Sequence, residues 1–149
     1  MPNDLTEDLG TFQRHFNPQW YDSTAFTIAS ETVTYTKYQL HVTEKCFKPM
    51  AYYHPFVVWG QPGVLHYLQQ LDFETFSNLF DENYDNELNQ DLRLDMVVKN
   101  INDFDITPSY DVITWQKLQH NRDLFYNQSR VQTLFRQGIV EPILEYAET

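Results

Sequence analysis

The run Phe56-Val57-Val58-Trp59 constrains this chain more than any other feature. Four consecutive apolar residues, entered through His54-Pro55 and left through Gly60-Gln61-Pro62-Gly63, read as a strand covered on both faces. Upstream, Ala25-Phe26-Thr27-Ile28-Ala29 is a second short β-prone run ending near Ser30-Glu31, and Val33, Tyr35 and Leu40 mark an extended or hairpin-like excursion after it. Between the two runs Thr43 is a good N-cap, Glu44 falls where the helix dipole favours a carboxylate, and Cys46, Phe47, Met50 and Ala51 form an apolar stripe. Together they predict a helix over 44–53. Pro49 removes one backbone hydrogen bond and is expected to kink or restart that helix. Pro62 then opens a second helix carrying Val64, Leu65, Tyr67, Leu68 and Leu71, and Phe73 to Phe76 reads as a third strand. Strands alternating with helices of about ten residues predict an α/β fold with a three-stranded parallel sheet over residues 24–77 and flanking helices.

After the acidic loop Asp81-Glu82-Asn83-Tyr84-Asp85 the pattern turns helical. Helices are predicted over about 86–104, with Leu88, Leu92, Val97, Val98 and Ile101 as the apolar face, over about 110–126, with Ile113, Leu118, Leu124 and Phe125, and over about 128–147. Near the start, Phe12, Phe16, Trp20 and Tyr21 suit a short amphipathic helix resting on the body. With 149 residues, no repeat and no Gly/Ser/Pro-rich linker, the chain is expected to be one domain, a 24–80 α/β core followed by an 86–147 helical part.

Charge narrows the function classes. The 21 acidic against 10 basic residues give a formal charge of −11, which repels phosphate backbones and anionic lipid surfaces, so neither nucleic acid nor membrane is an expected partner. Cys46 is the sole cysteine, which excludes an internal disulfide and a cysteine-only metal cluster and suits a cytoplasmic setting. It reads as a packing residue. The leading MPNDLTEDLG lacks the positive and apolar regions of a secretion signal, and no segment approaches the ~20 apolar residues of a membrane span. The five histidines contain no paired i, i+4 ligands, so zinc has no support. The loop 81–87 lacks the glycine and terminal glutamate of a calcium loop, and its acidic residues are expected to cap the next helix. No metal or bound cofactor is expected, and no GxSxG, P-loop or GxGxxG pattern is present.

The candidate site is the helix start at Thr43-Glu44-Lys45. The first amides of a helix are free donors at the positive end of its dipole and bind phosphate readily. Lys45 could add a point charge against a diphosphate, and Glu44 could accept from hydroxyls such as those of a ribose. In open α/β sheets ligands bind at the carboxyl ends of the strands, where Glu31, Thr43, Gly60 and Gln61 would also gather. The competing reading is a capped surface helix whose Glu and Lys are solvated.

Three stretches, Phe26-Thr27-Ile28-Ala29-Ser30-Glu31, His41-Val42-Thr43-Glu44-Lys45 and Pro55-Phe56-Val57-Val58-Trp59-Gly60-Gln61-Pro62, resemble the donor-binding core of the α-1,3-fucosyltransferases. The resemblance covers about a third of the chain, with Ser30 where the family has Phe and Thr32 where it has Asn. It implies a half-Rossmann-like unit that holds a guanosine diphosphate sugar, with Glu44 on the ribose, Lys45 on the diphosphate and Glu31 near the sugar end. About 23 residues precede the first strand, too few for the family's acceptor-binding half. Two functions are therefore expected. One is a GDP-sugar-binding domain, metal-independent if it transfers glycosyl groups with a partner domain. The other is a non-catalytic interaction protein whose aromatic and acidic surface meets a protein partner or a second copy in a homo-oligomer.

Overall fold

The computed structural model describes residues 18–36, 39–105, 110–141 and 146, with the backbone alone at 135, 138 and 139. In chain order the elements are α1 (Pro18–Asp22), β1 (Thr27–Ser30), α2 (Glu44–Ala51), β2 (Phe56–Trp59), α3 (Val64–Gln70), a 3-10 turn (Glu82–Asn86), α4 (Gln90–Asp103), α5 (Val112–Phe125), α6 (Gln128–Phe135) and a π-helical turn (Arg136–Val140). The fold is α/β with helices predominating. Phe12 and Phe16 lie outside the described residues, and Trp20 and Tyr21 belong to α1.

β1 and β2 run parallel, Thr27 opposite Phe56 and Ser30 opposite Trp59. A parallel pair needs a crossover connection, and α2 supplies it. Phe56, Val57 and Val58 are buried, as a continuous apolar run requires, while β1 buries only Ala29 and leaves Ile28 exposed. The free edge of β2 is closed by a side chain, since the Val58 amide donates to the Tyr84 hydroxyl at 3.2 Å. Met50, Val57, Leu68, Phe76, Val97 and Leu118 centre the core, each contributing roughly 1.5–3 kcal/mol by leaving water.

The expected third strand is absent among the described residues. Phe73 and Phe76 are buried three residues apart, a spacing that does not alternate, and the backbone between them is satisfied by side chains. Asn121 on α5 accepts from the Glu74 amide at 2.7 Å and donates to the Glu74 carbonyl at 2.8 Å, and Lys117 Nζ donates to the Thr75 carbonyl at 2.7 Å. A segment whose main-chain groups find such partners needs no ladder. The excursion after β1 likewise forms no strand among its described residues. Its Tyr35 carbonyl and His41 amide both bond to the Gln61 side chain.

Pro49 does not restart α2, which runs unbroken through it. It falls in the last turn, where its carbonyl accepts from Tyr52 and His54 amides, and the helix stops two residues later at Ala51. His54 then turns inward, its Nδ1 2.8 Å from the Thr27 hydroxyl and its Nε2 2.9 Å from the Thr24 carbonyl, joining this turn to the entry of β1.

The two long helices keep part of their expected faces, with Val97 and Ile101 on α4 and Leu118, Leu124 and Phe125 on α5 in or against the core. On α4 the buried residues are Arg93, Val97 and Asn100, which recur at helical spacing, and Leu88, Leu92 and Val98 are exposed. On α5 the buried residues are Thr114, Leu118 and Asn121, and Ile113 is exposed. In both, a polar side chain that reaches a main-chain partner has displaced an aliphatic one from the inner face. Of the expected 128–147 helix, Gln128–Phe135 is α-helical, Arg136–Val140 is π-helical and Glu141 and Tyr146 are again α-helical.

Candidate functional site

Five of the six sequence-predicted site residues cluster at the carboxyl ends of the two strands. Glu31 leaves β1 with its side chain fully buried. Its Oε1 accepts from the Thr43 amide at 2.8 Å and from the Cys46 thiol at 3.2 Å, and its Oε2 accepts from the Thr43 hydroxyl at 2.7 Å. Lys45 Nζ stands 3.9 Å from Oε2 and donates to the Thr32 hydroxyl at 3.4 Å. The helix start that sequence reasoning offered to an external anion therefore holds an internal one. Thr43 remains the N-cap, its hydroxyl accepting from the Lys45 amide.

Electrostatics at Glu31 follow from this packing. Burial alone would raise its pKa, but the hydrogen bonds from Thr43 and Cys46 and the Lys45 charge hold it below the ordinary carboxylate value. The same burial and the adjoining carboxylate push the Cys46 thiol well up, so it is an inert donor rather than a nucleophile.

Gly60 and Gln61 close the neighbouring strand end. A Cβ on Gly60 would meet Val58 at 3.3 Å, Val64 at 3.4 Å and the Glu31 Cβ at 3.5 Å, so the turn packs closely against the strand end and Glu31. Gln61 is buried, accepting from the His41 amide at 2.7 Å and donating to the Tyr35 carbonyl at 3.0 Å. These two bonds clamp the excursion across the strand ends. Glu44 is the sixth residue and faces elsewhere. It pairs with Lys48 at 3.7 Å on the rim of an apolar groove of about 540 Å³ walled by Phe47, Ala51, Tyr52, Phe125 and Tyr126.

Arg93 is the residue that sequence reasoning missed. Its guanidinium, buried under the same strand ends, donates to the Gly60 carbonyl at 3.0 Å, to the Glu87 carbonyl at 2.6 Å and to the Thr34 carbonyl, and lies 5.5 Å from the Trp59 ring centre. The signal was present in its spacing from Val97 and Asn100, which puts it on one face with them. The acidic loop also differs from expectation. Asp85 is buried and caps α3, accepting from the Leu65 and His66 amides at 3.0 and 3.1 Å, while Asn89 caps α4. No group of three or more His, Cys, Asp or Glu side chains arranged to hold a metal occurs among the described residues. No helix among them is long and apolar enough to cross a membrane.

No family model, curated protein or solved structure matches this chain.

Proposed function

We propose that this chain is a non-catalytic protein-interaction domain built on a two-stranded βαβ unit. The observation that carries the reading is the outer face of α4. Leu92, Leu94 and Val98, with Leu88 just before the helix, are 53%, 41%, 44% and 72% exposed. The opposite face is fixed at both ends, by Arg93 in the first turn and by Asn100, which exchanges hydrogen bonds with the Asp81 main chain at 2.7 and 2.8 Å. Aliphatic side chains held outward on an immobilised helix form the kind of surface a partner covers.

The closed helix start supports this reading over nucleotide-sugar binding. A diphosphate at Thr43 and Lys45 would have to displace a carboxylate that already engages the Thr43 amide, its hydroxyl and the Lys45 charge. The test is thermal denaturation with GDP, GDP-sugars and UDP-sugars. Flat midpoints are expected. A saturable rise of several degrees that Lys45→Ala abolishes would overturn the interaction reading in favour of a donor site.

A further inference from the structure

We infer that β1 is a pairing edge, along which a second copy of this chain adds its own β1 antiparallel to make a continuous four-stranded sheet. This rests on the interaction reading above for Leu94 and Val98 and names the partner that covers them.

The edge follows from hydrogen-bond direction. Successive main-chain groups of a strand point to opposite sides, and in β1 the Thr27 and Glu31 amides point at β2, donating to the Pro55 carbonyl at 2.9 Å and the Trp59 carbonyl at 2.8 Å. The N–H and C=O groups of Ile28 and Ser30 therefore point the other way, and among the described residues nothing bonds to them there. The outer edge of β2 is closed by Tyr84, whereas β1 lacks the devices that blunt an edge. Ser23 to Ser30 contain no charge and no proline, and the register of β1 is unbroken.

Side chains beside that edge are open too. Glu31 reaches Cys46 of α2, so Phe26, Ile28 and Ser30 face away from α2. On that other face α4 runs antiparallel to β1, because Gln90 and Arg93 reach Thr34, beyond the end of β1, and Phe104, just after α4, packs on Phe26. Asn100 turns to Asp81, on the side where Tyr84 closes β2. At about 100° per residue, Leu94 and Val98 lie about 60° and 100° round from the buried Val97 in the opposite direction, towards the β1 edge. Both are exposed, and so is Ile28, by 47%.

The occupant follows from self-complementarity. With a two-fold axis through Ala29, Ile28 of one copy exchanges both main-chain bonds with Ser30 of the other, and the reverse, so both open edges close together. The two α4 helices then lie on one face, antiparallel and two to three strand spacings apart, about 10–14 Å. Packed helices stand roughly 8–10 Å apart, so the gap is one that Leu94 and Val98 of both copies fill above the two Ile28 side chains. A lone peptide strand would satisfy Ile28 and Ser30 but bring no second α4. Because the paired strands are uncharged, the −11 of each chain sets no like charges opposite one another in the ladder.

The test is the mass of the full chain by sedimentation equilibrium and a cross-link that reads the register. The wild type should be a dimer at about 100 µM, enough to populate a micromolar association. Ile28→Lys and Leu94→Ser/Val98→Ser should each weaken it by about tenfold or more. These positions are exposed, so circular dichroism should report an intact fold. Ile28→Cys and Ser30→Cys chains, mixed and oxidised, should cross-link to each other, because residues opposite in a hydrogen-bonded antiparallel pair have Cα atoms about 5.5 Å apart, within disulfide reach. Neither variant alone should cross-link, since like residues stand two positions out of register, and Cys46 is buried. A monomer at every concentration would overturn the inference. A dimer that ignores Ile28→Lys but is broken by Leu94→Ser/Val98→Ser would overturn the strand pairing in favour of helix-to-helix contact and leave the interaction reading standing. Cross-linking of Ile28→Cys or Ser30→Cys with itself, and not with the other, would overturn the pairing about Ala29. Failure of the interaction reading itself is read separately, from the nucleotide titration.

Discussion

Glu31 accepts from the Thr43 amide and hydroxyl and from the Cys46 thiol, and these donors keep it ionised below the pH at which a free carboxyl takes up its proton. Its depressed folded pKa means that the unfolded chain binds the proton first as pH falls. Its contribution is complete above the ordinary value of 4.5 and is lost as pH drops through the folded value. His54 acts in a higher window. Burial lowers its pKa against the opposing bond to the Thr24 carbonyl, so the folded chain holds it neutral. Its contribution is complete above 6.5 and declines as pH falls from there towards the folded value. Denaturant midpoints measured from pH 8 to pH 3 should show both windows. Glu31→Gln should remove the lower step and cost about 1–3 kcal/mol at neutral pH by leaving a donor facing donors. His54→Asn should flatten the upper step. The grouping of Glu31, Thr43 and Lys45 was legible from the cap signal and the strand end that precedes it. That the chain would fill its own helix start was not, because it depends on Glu31 meeting Thr43 and on Tyr35 and His41 both meeting Gln61, contacts that local patterning does not encode.

Among elements, α4 reverses the usual ranking of its residues. Arg93→Met should destabilise by about 3 kcal/mol or more, since it leaves the Gly60, Glu87 and Thr34 carbonyls without their donor. Leu92→Ser, four residues past Leu88 on the exposed side, should cost no more than about 0.5 kcal/mol. Urea midpoints of the two variants decide the matter, and the opposite order would refute the assignment of faces. Asn121 plays the matching part on α5. Asn121→Ala should cost about 1–3 kcal/mol and speed hydrogen exchange at the Glu74 amide, which now donates to its side chain. Element type and approximate extent were readable from periodicity for α2, β2, α3, α4 and α5. The faces of α4 and α5 were legible in part: Val97, Ile101, Leu118, Leu124 and Phe125 pack as expected, whereas Leu88, Leu92, Val98 and Ile113 stay outside because Arg93, Asn100 and Asn121 take inner positions where they reach main-chain partners. The third strand failed for the same reason, since Asn121 and Lys117 took the place of a ladder partner.

For the whole molecule, the excess of acidic residues should make folding more favourable with ionic strength. Raising sodium chloride from about 0.01 to 0.15 M shortens the Debye length from roughly 30 to 8 Å, so repulsion within the −11 chain weakens and the melting temperature should rise. A fall would mean that attractive pairs such as Lys48–Glu44 outweigh the repulsion. The α/β class and the parallel pair were legible because β1, α2 and β2 are consecutive and each carries its own periodicity. The attachment of the C-terminal helices was legible only for its apolar part, Val97, Leu118, Leu124 and Phe125, and not for the polar tethers Arg93, Asn100 and Asn121 that join main-chain groups far along the sequence. Those tethers bear on how the chain is made. A ribosome delivers β1, α2, β2 and α3 first, yet the Gly60 carbonyl waits for Arg93 and the Glu74 main chain waits for Asn121. The nascent sheet is thus an unfinished piece until α5 has left the exit tunnel, and a fragment stopped at residue 105 should collapse without native protection at Glu74, exposing its aromatic core to chaperones.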